Sequence, residues 1–384
     1  MNWIKIPFYF YLFLKPYYII KSGSAQPADM FLAACIPLFI IFKPKILSLT
    51  EFESNNLIIF ISFFFYTIVL NLVYLIVYPN GNFYETIFFY TFNMFGIIIF
   101  TYLIKDKEFL KSIYQILSFN IIVQVIILFL NRGRYLGDIR YMGTFNDPNQ
   151  FSFYIFLSII SVYVIEDILS LKSRRWLIYL LGGYLIISSA STGILLGITI
   201  FFISLLFTEF KISKLQFLNS LKIIALFGIL GAGIYFAKGD IVTQKFNYLS
   251  TRIEEKLNST KSNAEITLAE ERGYDKIYKN AEYLIFGSGE GEMGRLKGFS
   301  NSEVHATFPG LFLYYGIPGL FLISLWLYKS LARIPLNLQL IFMALFVESL
   351  TLANQRQFLF WGVIILMSKV RKGEGTFHHL KEPS

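Results

Sequence analysis

The chain alternates long apolar stretches with short polar ones. The apolar stretches cover 57–78, 83–104, 109–130, 151–165, 177–207, 223–237, 308–328 and 336–352. A bilayer's hydrocarbon layer asks for roughly 17–25 apolar residues per helix, and most of these runs meet that length. None shows the period-two alternation of a membrane β-barrel. The pattern predicts an all-α polytopic membrane protein of about 11–12 transmembrane helices with one large extracytoplasmic loop that contains helices. The run 177–207 is too long for one helix. Its small-residue centre, Ser188-Ser189-Ala190-Ser191-Thr192-Gly193, predicts a turn between two short spans. The run 8–20 is short and broken by Lys15-Pro16, so it reads equally as a span or as an interfacial or re-entrant element.

Composition strengthens this reading. Hydrophobic residues make up 55% of the chain and aromatic residues 18%, far above the needs of a soluble domain of this size. Cys35 is the single cysteine, which leaves no partner for an intrachain disulfide. The net charge of +9 (34 basic minus 25 acidic residues) does not point to nucleic acid, because the basic residues fall into clusters that alternate with the spans. Lys43 and Lys45, then Lys105, Lys107 and Lys111, then Lys172, Arg174 and Arg175 lie two crossings apart, and the clusters at 211–222, 329–333 and 369–372 continue the pattern. Lys/Arg-rich short loops mark the cytoplasmic side, so the other connections and the loop 238–304 are expected outside. The chain then divides into N-terminal transmembrane helices (1–237), the large extracytoplasmic loop (238–304), C-terminal transmembrane helices (305–372) and a cytoplasmic tail (373–384).

Candidate chemistry gathers on that outer side. The stretch from Arg140 to Asn149 ends in Asn146-Asp147-Pro148-Asn149, strong turn chemistry because Asn and Asp bond their own backbone and Pro fixes φ. An arginine at the start of such a turn, at a membrane mouth, suits an anionic headgroup or phosphate. In the large loop, apolar residues at helical spacing over 265–284 predict one amphipathic helix with Arg272 in its middle. Gly287-Ser288-Gly289-Glu290-Gly291 follows no strand and opens no helix, so it is not a nucleotide loop; its glycines suit a turn or a close backbone approach. His305, the one histidine outside the pair His378-His379, stands at the lip of the 308–328 span, where an imidazole can accept a proton near neutral pH. Glu348 and Arg356 sit eight residues apart across an outer turn and read as an ion pair, or else as substrate contacts.

These stretches together resemble the bacterial O-antigen polymerase and O-antigen ligase superfamily over most of the chain. Arg140 to Asn149 is similar to the family's arginine and glycine ahead of a Pro-Asn pair that enters a helix. Glu271-Arg272, followed by Tyr283-Leu284-Ile285-Phe286-Gly287-Ser288-Gly289, resembles its arginine helix and G-x-G turn. His305-Ala306-Thr307-Phe308, running into Tyr314-Tyr315-Gly316-Ile317-Pro318-Gly319-Leu320, is similar to its histidine, aromatic-rich helix and glycine break. The chain departs from the pattern at Ala306, where the family often has Asn, and at Ser191-Thr192-Gly193, which lacks a following arginine.

The resemblance implies a metal-independent glycosyltransferase in the bacterial cytoplasmic (inner) membrane. Its implied partners are a polyprenyl-diphosphate-linked oligosaccharide and membrane lipid, with a chain-length regulator and a flippase acting alongside; no cofactor is implied. The chemistry calls for charge on the leaving diphosphate and for a base at the acceptor hydroxyl. Arg140 and Arg272 are the expected diphosphate ligands, with Arg252 and Arg295 in reserve, because guanidinium binds phosphate in two-pronged fashion and keeps its charge. His305 is the expected base; Asp147 and Glu303 read instead as a turn residue and a solvated one. Asn149, Glu348 and Arg356 complete the expected substrate-binding set. A ligase that moves finished glycan to a lipid A core would use the same residues. A transporter would be expected to show internal repeats, which the sequence lacks.

Overall fold

The computed structural model describes residues 2–20, 25–42, 49–79, 82–137, 139–171, 176–209, 247–248, 250–251, 254, 267–299 and 303–370. Arg252, the expected span 223–237, most of 238–266 and the C-terminal tail lie outside the described residues. What is described is mostly helical: α1 (Asn2–Leu14), α2 (Pro27–Phe42), α3 (Glu51–Val77), α4 (Asn82–Leu103), α5 (Lys107–Phe129), α6 (Pro148–Ile168), α7 (Trp176–Ser189) and α8 (Thr192–Glu209). Two short helices follow, α9 (Leu268–Glu271) and α10 (Asp275–Lys279), then α11 (Thr307–Leu331), α12 (Leu336–Ser349) and α13 (Phe358–Ser368). A small antiparallel hairpin, β1 (Arg134–Leu136) and β2 (Arg140–Gly143), joins α5 to α6.

Among the described residues five helices are long and apolar enough to cross a membrane: α3, α4, α5, α6 and α11. Helices α1, α2, α7, α8, α12 and α13 are apolar but shorter. The break expected in 177–207 is present, as α7 ends at Ser189 and α8 starts at Thr192, with Ala190 in the left-handed region (φ 52°). Helix α6 is buried along almost its whole length, so it runs through the centre of the bundle instead of facing lipid. Helices α8 and α12 approach closely at Gly197, while Gly193, four residues earlier on the same face, packs on Thr351 just past the end of α12. A β-carbon on Gly197 would lie 3.3 Å from the Ala344 carbonyl, and small residues at this spacing let helix backbones meet in lipid.

One expectation is corrected. The region 265–284 is not one amphipathic helix. Among its described residues it forms α9, a break at Arg272-Gly273-Tyr274 with Gly273 at φ +72°, α10, and a 3-10 turn over Ala281–Leu284. The left-handed glycine cannot continue the helix, and helical spacing of the apolar residues alone does not reveal that. The run 8–20 breaks at the Lys15-Pro16 that the sequence marks. Helix α1 starts earlier and ends at Leu14, before Pro16, and the following residues fold back onto the β2–α6 turn, where Asn146 Nδ2 donates to the Ile20 carbonyl (2.8 Å).

The break in α11 organises one end of the bundle. Gly316 leaves helical geometry (φ 59°, ψ −161°) and Pro318 has no N–H, which strips the Leu313 and Tyr314 carbonyls of their in-helix donors. The loop replaces them: Ser288 N donates to Leu313 O (3.0 Å) and Gly289 N to Tyr314 O (2.8 Å). In return Ile317 N donates to Ile285 O (3.3 Å). Broken helices persist in apolar surroundings only where such freed groups find partners. The run from Gly287 to Gly291 is therefore packed into the bundle: Gly287 permits the close approach to α11, and Gly289 and Gly291 permit one to Tyr74 of α3 and Phe83 of α4.

Candidate functional site

The hairpin delivers Arg140 to the bundle. All four residues of β2 are buried, and Arg140 is 8% exposed. Its Nε donates to the Ser189 carbonyl (3.2 Å) at the end of α7, and Nη2 donates to Asn149 Oδ1 (2.8 Å) in the first turn of α6. Ser191 Oγ donates to the same Asn149 oxygen (2.9 Å). Asp147 is the N-cap of α6, accepting from the Asn149 and Gln150 amides (2.8 and 2.9 Å), with Pro148 just inside the helix. The Asn-Asp-Pro-Asn turn is thus a helix start, and Arg140 ties that start to the end of α7. A cation suits the α7 end, where carbonyls lack helical donors.

Arg272 and His305 meet at a second corner. Arg272 Nη1 donates to the carbonyl of Thr351, and Tyr274 Oη donates to that of Leu350, so the loop caps the end of α12. The His305 amide donates to the Arg272 carbonyl (3.0 Å). Both side chains are half-buried. Thr307, at the start of α11, holds the same turn: its Oγ1 donates to Leu352 O (2.8 Å) and accepts from the Asn354 amide (2.9 Å). The Arg140 corner adjoins this one, because Gly193, two residues beyond Ser191, packs on Thr351; a β-carbon there would fall 2.0 Å from Oγ1. Arg140, Arg272 and His305 come from three separate segments and gather around the α12–α13 turn at the same end of the bundle.

The expected Glu348–Arg356 pair does not form. Both Glu348 oxygens accept from Asn354 Nδ2 (3.0 Å each), an amide in the same turn that reaches the carboxylate first. Arg356 turns the other way, placing Nε 3.0 Å from Glu290 Oε1 and Nη2 3.2 Å from Glu303 Oε2. Burial works against the Arg356 charge, but Glu290 and Glu303 outweigh it and hold the guanidinium above its ordinary pKa. Glu290 is fully buried and accepts from Tyr90 Oη (2.7 Å), Tyr315 Oη (2.9 Å) and Gln355 Nε2 (2.8 Å). Its backbone is held as firmly, donating to Asn71 Oδ1 (2.8 Å) and accepting from Thr86 Oγ1 (2.6 Å).

Arg295 is committed to the fold as well. Its guanidinium carbon lies 4.5 Å from the Tyr74 ring centre and between 5.3 and 5.5 Å from the rings of Tyr78, Phe83 and Tyr283, while Nη2 donates to the Ser288 carbonyl. Enclosed by four aromatic faces, it pins the loop by cation–π attraction and is not presented to a ligand.

Next to these corners lies a cleft of about 140 Å³ that sequence reasoning did not identify. Its lining includes the Glu303–Arg356 pair, the Lys15–Asp29 pair (Nζ–Oδ1 2.7 Å), Gln150 and the apolar Phe88 and Phe92. Burial lowers the Lys15 ammonium's pKa, yet Asp29 overrides it and keeps the value above the usual lysine range. The signals for the cleft were single charged residues beside apolar runs, at 15, 29, 303 and 356. No protein-family model matches the chain, and no curated protein is significantly similar to it.

Proposed function

We propose that the chain is a polymerase of lipid-linked oligosaccharide repeat units. It transfers the growing glycan from polyprenyl diphosphate to a sugar hydroxyl of the next lipid-linked unit. The observation that supports this most is the gathering of Arg140, Arg272 and His305 around one turn at one end of an apolar helical bundle. In the reaction the acceptor oxygen attacks the anomeric carbon of the donor glycan, its proton passes to His305 Nε2 or Nδ1, and the bond to the diphosphate oxygen breaks. Arg272, half-buried and next to His305 in the fold, faces the charge that develops on the leaving diphosphate. Arg140 is buried and ties the start of α6 to the end of α7, beside that group. We assign the lysine-rich end of the bundle to the cytoplasm and the arginine–histidine end to the extracytoplasmic face of the bacterial inner membrane. A chain-length regulator and a flippase are its proposed companions.

Purified full-length protein incubated with lipid-linked repeat units tests the proposal. Wild type should yield a glycan ladder, and Arg272→Ala and His305→Ala should each lower its rate at least about a hundredfold, the scale on which lost electrostatic stabilisation and lost general-base catalysis act. Consumption of donor only when a lipid A core acceptor is added would make the protein a ligase. Neither product, with lipid-linked units moved across proteoliposome membranes, would make it a transporter.

A further inference from the structure

The run 285–290 leaves almost none of its backbone for water. Its carbonyls all accept: Ile285 O from Ile317 N (3.3 Å), Phe286 O from Tyr66 Oη (2.6 Å), Gly287 O from Tyr74 Oη (2.9 Å) and Ser288 O from Arg295. Gly289 O accepts from Ser288 Oγ (3.1 Å) and Glu290 O from Thr86 Oγ1 (2.6 Å). The amides from Gly287 to Glu290 all donate, to Tyr283 O (2.6 Å), Leu313 O (3.0 Å), Tyr314 O (2.8 Å) and Asn71 Oδ1 (2.8 Å) in turn. A loop in water has no need of such complete pairing. Irregular backbone at membrane depth cannot do without it.

The helices that hold the run give its depth. The start of α3 lies with Lys105 and Lys369 through Glu53, so Val77 is at the arginine–histidine end. Tyr66, Asn71 and Tyr74 come before Val77 by about 16, 9 and 5 Å of helix respectively. The run bonds to all three, which sets it about 10 Å below the end of α3. On α11 its partners are Leu313, Tyr314 and Ile317, about 9–15 Å past Thr307. The 27 residues of α3 make about 40 Å against about 30 Å of hydrocarbon, so a centred α3 overhangs by only about 5 Å at each end. Both helices thus put the run inside the hydrocarbon layer.

Side chains divide as that depth requires. Ser288 and Glu290 are fully buried in the protein. Ile285 and Phe286 are exposed, Phe286 by 68%, as are Ile317, whose amide bonds Ile285, and Phe321, one turn further along α11. Large apolar side chains bared in this way are unfavourable in water and at home among acyl chains. Tyr78 at the end of α3 and Phe83 at the start of α4 flank Arg295 (5.3 and 5.4 Å), an aromatic and cationic set suited to the interface where the chain leaves the bilayer.

We propose that 285–290 is a re-entrant membrane segment within the large loop, and that Ile285, Phe286, Ile317 and Phe321 face the acyl chains of the leaflet on the arginine–histidine side. The partner is bulk lipid, and the proposal does not depend on the polymerase reading.

Spin labelling of the full chain in phosphatidylethanolamine–phosphatidylglycerol liposomes tests it. Nitroxides on Phe286→Cys and, separately, on Ile285→Cys report collisions with oxygen, which concentrates in the bilayer, and with a nickel chelate, which stays in water. Tyr278→Cys on α10 is the aqueous reference and Phe65→Cys in the middle of α3 the lipid reference; both native side chains are exposed, and buried Cys35 should take no label. At 285 and 286 the oxygen-to-nickel ratio should approach that of Phe65→Cys and stand several-fold above that of Tyr278→Cys. A ratio at both positions no higher than that of Tyr278→Cys would return the run to water and overturn the proposal. Weak collisions with both reagents would mean that protein covers the surface, which overturns it equally. Both variants should melt with wild type, since neither side chain packs on protein; a large fall in melting temperature in both counts against the proposal in the same way.

Discussion

At the scale of the residue, the weight of the fold rests on Glu290. A carboxylate buried in an apolar bundle is costly unless fully paired, and this one has two tyrosine hydroxyls, one amide and one guanidinium. Its removal leaves the half-buried Arg356 with Glu303 alone. Glu290→Gln should therefore cost about 1.5–3 kcal/mol, the scale of a lost hydrogen bond to a charged group. Tyr90→Phe, which deletes one of several donors to the same carboxylate, should cost only about 1 kcal/mol. Thermal unfolding of the two variants in detergent measures both; equal losses would mean that the hydrogen bonds, and not the charge, hold the loop. Arg356 shows how one side chain serves both sides of the site: Nε faces the buried Glu290 while Nη2 faces Glu303 at the cleft.

At the scale of the element, the defining contact is between the Gly287–Gly291 run and the break in α11. Gly287 sits at φ +97°, and a β-carbon on it would fall 2.3 Å from the Tyr314 carbonyl. Gly287→Ala thus meets both backbone strain of about 1–3 kcal/mol and a clash with backbone that cannot swing aside. It should also release the Leu313 and Tyr314 carbonyls from Ser288 and Gly289, so amide exchange at those two donors should rise together with the loss of thermal stability. A variant that keeps wild-type exchange and melting would show that the loop does not depend on this approach. The sequence made some of this legible. The small-residue turn at 188–193 and the apolar spans are local signals, written in consecutive residues. Gly316 and Pro318 likewise announced a break, but nothing near them says that a segment some 25 residues earlier supplies the missing donors. Glu290 was hidden in the same way. Its partners come from α4, α11 and the α12–α13 turn, and no spacing in the chain connects them. Glu348 and Arg356 misled because proximity in sequence suggested a pair that Asn354, nearer still, pre-empts.

At the scale of the whole molecule, polar chemistry is divided between the two ends of the bundle. One end holds Lys5 on Asp106 and both Lys105 and Lys369 on Glu53, with Lys111 exposed beyond them. The other holds Arg140, Arg272, His305, Arg356 and the cleft. Lysine-rich short connections stay in the cytoplasm because moving them across the membrane is unfavourable, so the proposed donor and acceptor should meet on the far side. The chain is well suited to testing this, because its one cysteine, Cys35, is fully buried and should not react with a bulky thiol reagent. Tyr278, 64% exposed on α10, marks the arginine–histidine end, and Lys111 marks the other. In intact spheroplasts a membrane-impermeant maleimide should label Tyr278→Cys at once and Lys111→Cys only after the membrane is opened, while wild type stays dark throughout. The reverse order would put Arg272 and His305 in the cytoplasm. The polymerase reading would then fail on geography alone, since its substrates would be presented to the wrong end of the protein.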